Sequence, residues 1–61
     1  MANIMNMKNG TRIRNKQGGT IFILGDYEPV NKVARKIWWE KYPGEYNYIN
    51  ENTQDEYEVV E

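Results

Sequence analysis

Apolar and polar side chains along this chain of 61 residues follow a period of two at both ends and an ambiguous period in the middle. In "TRIRNK", Ile13 alternates with Arg12 and Arg14, as a strand with one buried face requires. "QGG" at Gln17 to Gly19 supplies residues suited to the positive φ of a tight turn. "TIFILGDY" then runs β-branched and aromatic on both faces, which predicts a central strand buried on both sides or one that bends at Gly25. The two segments predict a hairpin. Further on, "YNYI" and "YEVVE" read as short strands separated by the polar "NENTQDE", where Asn50, Asn52, Thr53 and Asp55 are all able to hydrogen-bond backbone locally. "MANIMNMKN" carries neither period, so residues 1–9 read as a flexible lead-in and 10–61 as a single small domain.

Between the two ends, Val30, Val33, Ala34, Ile37 and Trp38 fall at the spacing of one helical face, with Pro29 suited to a first helical turn and Pro43-Gly44 to its end. The same residues also read as a strand. Val33, Ile37 and Trp39 then share one face with Arg35 among them, while Lys36, Trp38 and Glu40 take the other. A β-branched residue beside two tryptophans, a Pro-Gly turn and a tyrosine-bearing segment together make a natural aromatic hairpin. The first reading implies an α+β domain, ββαββ with a helix over residues 30–42; the second implies an all-β, five-stranded small barrel.

The strand reading forces a choice between the adjacent indoles. Neighbouring residues of a strand face opposite sides, so Trp39 goes inside with Ile37 and Val33, and Trp38 sits outside beside Lys36 and Glu40. A helix reverses the assignment. In either case one ring is available at the surface, for a partner or for stacking on a neighbouring Tyr or Lys stem.

Composition narrows the chemistry. The chain contains no Cys, His or Ser, which removes disulfide staples, thiolate and serine nucleophiles, histidine bases and the usual zinc ligand sets. The acids Glu45, Glu51, Asp55, Glu56, Glu58 and Glu61 lie in strand ends and loops, and "NENTQDE" lacks the central glycine of a calcium loop. Gly18-Gly19 has no following lysine to cradle phosphate. A non-enzyme without cofactor or metal is expected. A domain this short buries only about 60% of its unfolded surface, so its eight aromatic rings must provide much of the core. The mean hydropathy of −0.91 and a longest apolar run of only "IFIL" argue against a membrane span. With no basic-then-apolar leader pattern, the expected compartment is the cytoplasm.

The net charge of −1 hides an asymmetry. Residues 1–41 hold all eight basic side chains against three acids, a net of +5, whereas 42–61 hold six acids and no base, a net of −6. Either the halves lie against each other as neighbouring strands or the surface is bipolar.

The strand order resembles that of SH3-like small barrels, in particular the variant of Mind-bomb-type repeats and of many short bacterial and phage proteins. The residues carrying the resemblance are Ile37, Trp39 and Glu40, then Tyr46 to Ile49, then Tyr57, Glu58 and Val59. It spans roughly residues 10 to 61, and the chain departs from the pattern at the long "EPVNKVARK" linker and at the missing glycine after the Trp-acid pair. The resemblance implies the barrel fold; with the exposed rings and the split charge it leads to the expectation of a non-catalytic interaction module, a small regulator encoded by a bacterium or its phage that binds a host protein. Its partner site would comprise Trp38, Tyr42, Tyr46, Tyr48, Arg35 and Lys36. The alternative is a single-stranded nucleic-acid-binding barrel using Arg12, Arg14, Lys16 and Lys32 with Trp38, against which stands a pI of about 5.4.

Overall fold

A computed structural model describes residues 3–60 as one antiparallel sheet of five strands. The strands are β1 (Arg12–Asn15), β2 (Ile21–Tyr27), β3 (Arg35–Trp39), β4 (Tyr46–Ile49) and β5 (Tyr57–Val59), and their order across the sheet is β4-β3-β2-β1-β5. Two single 3-10 turns, Ile4–Asn6 and Gln54–Glu56, are the only helical elements among the described residues. The protein is therefore all-β, and the helix of the competing reading does not form. Residues 35–39 are extended. The helical spacing was accidental: Val30 and Val33, which a helix would bury, stand 92% and 69% exposed in the β2–β3 connection. Val33 is likewise not the core residue that the strand reading expected.

The β1–β2 hairpin turns where glycine and asparagine chemistry allow it. The Asn15 side-chain oxygen accepts from the amides of Gln17 and Gly18, while Gly19 takes φ +76° and donates its own amide to the Asn15 carbonyl. β3 and β4 are joined through Gly44 at φ +104°. Asn50 organises the polar segment before β5, its side-chain oxygen accepting from the amides of Asn52 and Thr53.

One face of the sheet carries the core. Ile13, Phe22, Leu24, Ile37, Ile49 and Tyr57 point inward from successive strands, with Trp39 and Val59 packed against them. Phe22 meets Trp39 and Tyr57 edge-on, with ring centroids 5.1 and 5.7 Å away. Ile4 and Met5 complete this cluster. The reading of residues 1–9 as a lead-in thus needs correction from residue 3 onward, while Met1 and Ala2 lie outside the described residues. A short apolar pair without a period gave no sign that it would be buried, because a single turn shows no repeat.

The segment is fastened by Arg35. Only 4% exposed, its guanidinium donates to the carbonyls of Met5, Met7 and Gly25 and to the side-chain oxygen of Asn9. Asn9 in turn donates to Asp26, so the buried charge reaches a carboxylate through one amide. This arrangement satisfies an otherwise costly buried cation with neutral oxygens.

Candidate functional site

Opposite the core, the sheet presents a second face whose side chains come from the alternate positions of the same strands. Across it run Tyr46, Trp38, Ile23 and Arg12, in the register Tyr46↔Trp38, Trp38↔Ile23 and Ile23↔Arg12. Tyr48 pairs with Lys36 in the next row. Trp38 and Tyr46 have ring centroids 5.1 Å apart, and Tyr46 and Tyr48 meet nearly perpendicular at 5.6 Å. The Lys36 ammonium lies 4.6 Å over the Tyr46 ring and 5.5 Å over that of Trp38, a favourable seat for a cation. Three rings and one ammonium therefore form a continuous strip next to the outer edge of the sheet.

Trp38 reaches this position because of Gly25. A Cβ at residue 25 would fall 2.9 Å from the Trp38 indole nitrogen, so the missing side chain is the seat across which the indole lies. The opposite-face rule thus holds for the two indoles: Trp39 packs on the core and Trp38 on the far side. Yet Trp38 is half-buried rather than free. Stacking against Tyr46, Lys36 and Gly25 covers part of it.

Tyr48 carries the resolved electrostatic signature of the strip. Its phenol is held above the ordinary tyrosine value, first by partial burial and then by the neighbouring Tyr46 hydroxyl and the Glu28 carboxylate. Tyr48 donates to Glu28 at 3.5 Å, the long end of a hydrogen bond. Neither Gly25 nor Glu28 was among the residues expected from the sequence. A glycine inside a β-branched run was the available signal for the first; for the second, no local pattern foretold a contact across 20 residues.

The expected partner set is divided by the fold. Trp38, Tyr46, Tyr48 and Lys36 come together. Arg35 does not join them, since it faces the core side and is consumed by the carbonyls that it binds. Tyr42 lies instead at the β3–β4 turn against Trp39, with centroids 6.0 Å apart, and lines a separate hollow with Thr20, Ile21 and Lys41.

The basic residues expected for nucleic acid are dispersed. Arg12 donates to Glu40 at 2.8 Å, and Arg14 is ion-paired with Glu58 on the adjoining strand. Lys16 sits at the hairpin end of β1 and Lys32 in the connection beyond the far end of β2. The Arg14–Glu58 pair shows the oppositely charged halves meeting as neighbouring strands, while the Arg12–Glu40 pair lies within the basic half.

Among the described residues, no group of three or more acids or other ligating side chains stands close enough to hold a metal ion, and no helix is long and apolar enough to cross a membrane. No family model matches this chain, and no curated protein or solved structure matches it significantly.

Proposed function

We propose that this chain is a non-catalytic interaction module with an SH3-like barrel architecture, and that it binds a protein partner through the strip of Trp38, Tyr46, Tyr48 and Lys36. The architecture is supported by the strand order β4-β3-β2-β1-β5 and by the single 3-10 turn entering β5. The observation that carries the function is the strip itself. Tyr46 and Tyr48 are 43% and 46% exposed beside a half-buried tryptophan, and large amphipathic rings that are already held in place bind partners at little cost in ordering. A small bacterial or phage regulator acting on a host protein in the cytoplasm remains the expected setting.

Against nucleic acid stands the pairing of Arg12 and Arg14 with carboxylates on the same face as the strip, since a phosphate backbone would meet neutralised charges there. Fluorescence titration with a mixed single-stranded oligonucleotide separates the two readings. The protein reading expects no quenching at low salt. Quenching that weakens steeply as salt rises would replace it with the nucleic-acid reading.

A further inference from the structure

The two edges of the sheet are treated differently. β5 is three residues long, carries Glu58, and has the 3-10 turn Ile4–Asn6 packed beside it, held by the Met5 amide donating to the Gln54 side chain. Short length, charge and a covering segment are how proteins protect an edge from pairing. β4 is also short, four residues, but "YNYI" contains no charge, no proline and no bulge.

The pattern of hydrogen bonds shows which groups this open edge offers. The Trp39 amide donates to the Glu45 carbonyl, which makes 39/45 a bonded pair. In an antiparallel ladder such pairs alternate, so 37/47 and 35/49 are bonded as well. Tyr46 and Tyr48, opposite Trp38 and Lys36, are the non-bonded positions. Their amides and carbonyls point away from β3, on the same two residues whose rings form the strip.

The electrostatics around the edge favour one sign. Glu45 precedes β4, Glu51 follows it by two residues, and Glu28 meets the Tyr48 hydroxyl. The cation of the strip, Lys36, is already seated over rings, and Lys32 lines a hollow together with Glu51. This leaves Glu28 and Glu45 as the carboxylates beside β4 with no cation in the strip facing them. Glu45 and Glu51 flank β4 on its two sides, so a second copy laid antiparallel along this edge would bring these carboxylates near one another.

We infer that β4 accepts an extended segment of a basic partner as a sixth strand, hydrogen-bonded to the backbone of Tyr46 and Tyr48, with its outward side chains lying on the ring strip and its Lys or Arg residues facing Glu28, Glu45 and Glu51. This rests on the partner-binding function proposed above and specifies its mode. Every second residue of the segment meets the rings, which demands alternation. Its flanks meet carboxylates, which demands positive charge.

The test selects binders from a display library of random peptides, each about a dozen residues long, on the immobilised full chain. The expected result is enrichment of alternating sequences flanked by Lys or Arg. Binding protects the Tyr46 and Tyr48 amides from hydrogen exchange by about tenfold or more, and N-methylation of the Tyr48 amide in the full-length chain weakens binding by about tenfold or more. Selected peptides that leave both amides unprotected, or that are acidic or rich in proline, overturn strand addition. If Trp38→Ala and Tyr46→Ala still abolish their binding, the ring strip stands as the partner site. No enriched peptide at all overturns both. A concentration-dependent dimer that protects the same two amides assigns the edge to a second copy and overturns the basic partner.

Discussion

Replacing Gly25 by alanine probes the seat of Trp38 directly. The new methyl group would lie 2.9 Å from the indole nitrogen, 3.1 Å from the adjacent ring carbon and 3.3 Å from the Lys36 carbonyl. Gly25 is not among the glycines with positive φ, so alanine meets no backbone penalty there. Overpacking of this kind destabilises by about 1–3 kcal/mol, and the reduced freedom of the unfolded chain returns about 0.4–1 kcal/mol. The net is a loss of about 1–2 kcal/mol, equivalent to a melting temperature lower by about 5–15 °C in a domain this small. In a Trp38→Ala background the nearest obstacle is gone, and Gly25→Ala becomes nearly neutral. Urea unfolding of the four proteins of this cycle, followed by far-ultraviolet circular dichroism, should therefore give a coupling of about 1–2 kcal/mol. An equal loss from Gly25→Ala in both backgrounds would refute the placement of the indole, and with it the geometry of the strip.

Trp39→Ala should lower stability by about 2–4 kcal/mol, because it removes a half-buried ring that packs on Phe22 and the core; Trp38→Ala should lose about half as much or less, and equal midpoints in urea would contradict the assignment of faces. Arg35→Lys leaves a single ammonium to serve four acceptors arranged for a planar guanidinium, so a loss of about 1–3 kcal/mol is expected, with faster hydrogen exchange at Met7, whose amide donates to the Ile4 carbonyl. Tyr48 stays neutral to higher pH in the folded than in the unfolded chain. Its contribution to stability is thus complete below the ordinary tyrosine value of about 10 and is lost as pH rises above it. Phenolate absorbance should contain a late-titrating component, and Tyr48→Phe should remove it.

Where a single physical rule governed the outcome, the fold was legible in the sequence. Ile13 between two arginines gave β1 its faces, Gln17 to Gly19 gave the hairpin, and the adjacency of Trp38 and Trp39 fixed their opposite sides once the backbone was known to be extended. Two rules competed over residues 30–42, and there periodicity favoured the wrong one. Val30 and Val33 fit a helical face but lie in an exposed connection, whereas the cross-strand pairing of Trp38 with Tyr46 exists only once β4 is in place. The misassigned residues share this dependence on tertiary context. Arg35 reads as a surface cation until the carbonyls of Met5 and Met7 are brought over it, and Ile4 and Met5 read as a tail until the sheet provides a face to cover.

The same contacts that correct the sequence reading explain why the sheet has a protected edge and an open one. Arg35 lies on β3, one strand from β4, yet its side chain reaches under the sheet to hold the segment that packs beside β5. Its place is purely on the core side, so β3 sends a buried cation one way and Lys36 and Trp38 the other. The acids follow a complementary rule. Glu40 and Glu58 are neutralised by Arg12 and Arg14 across the middle and the β5 side of the outer face, whereas Glu28 and Glu45 near β4 have no such pairing among the ion pairs of the described residues. Asp55 and Glu56 before β5 are equally without an ion pair, but beside β4 the free carboxylates of Glu28 and Glu45 accompany backbone groups that no strand covers. A surface built only for solubility would spread its charge without regard to the hydrogen-bonding ladder. The coincidence of outward-pointing backbone groups and ordered rings on the same two residues, Tyr46 and Tyr48, with carboxylates close by, is what distinguishes β4 from the β5 edge.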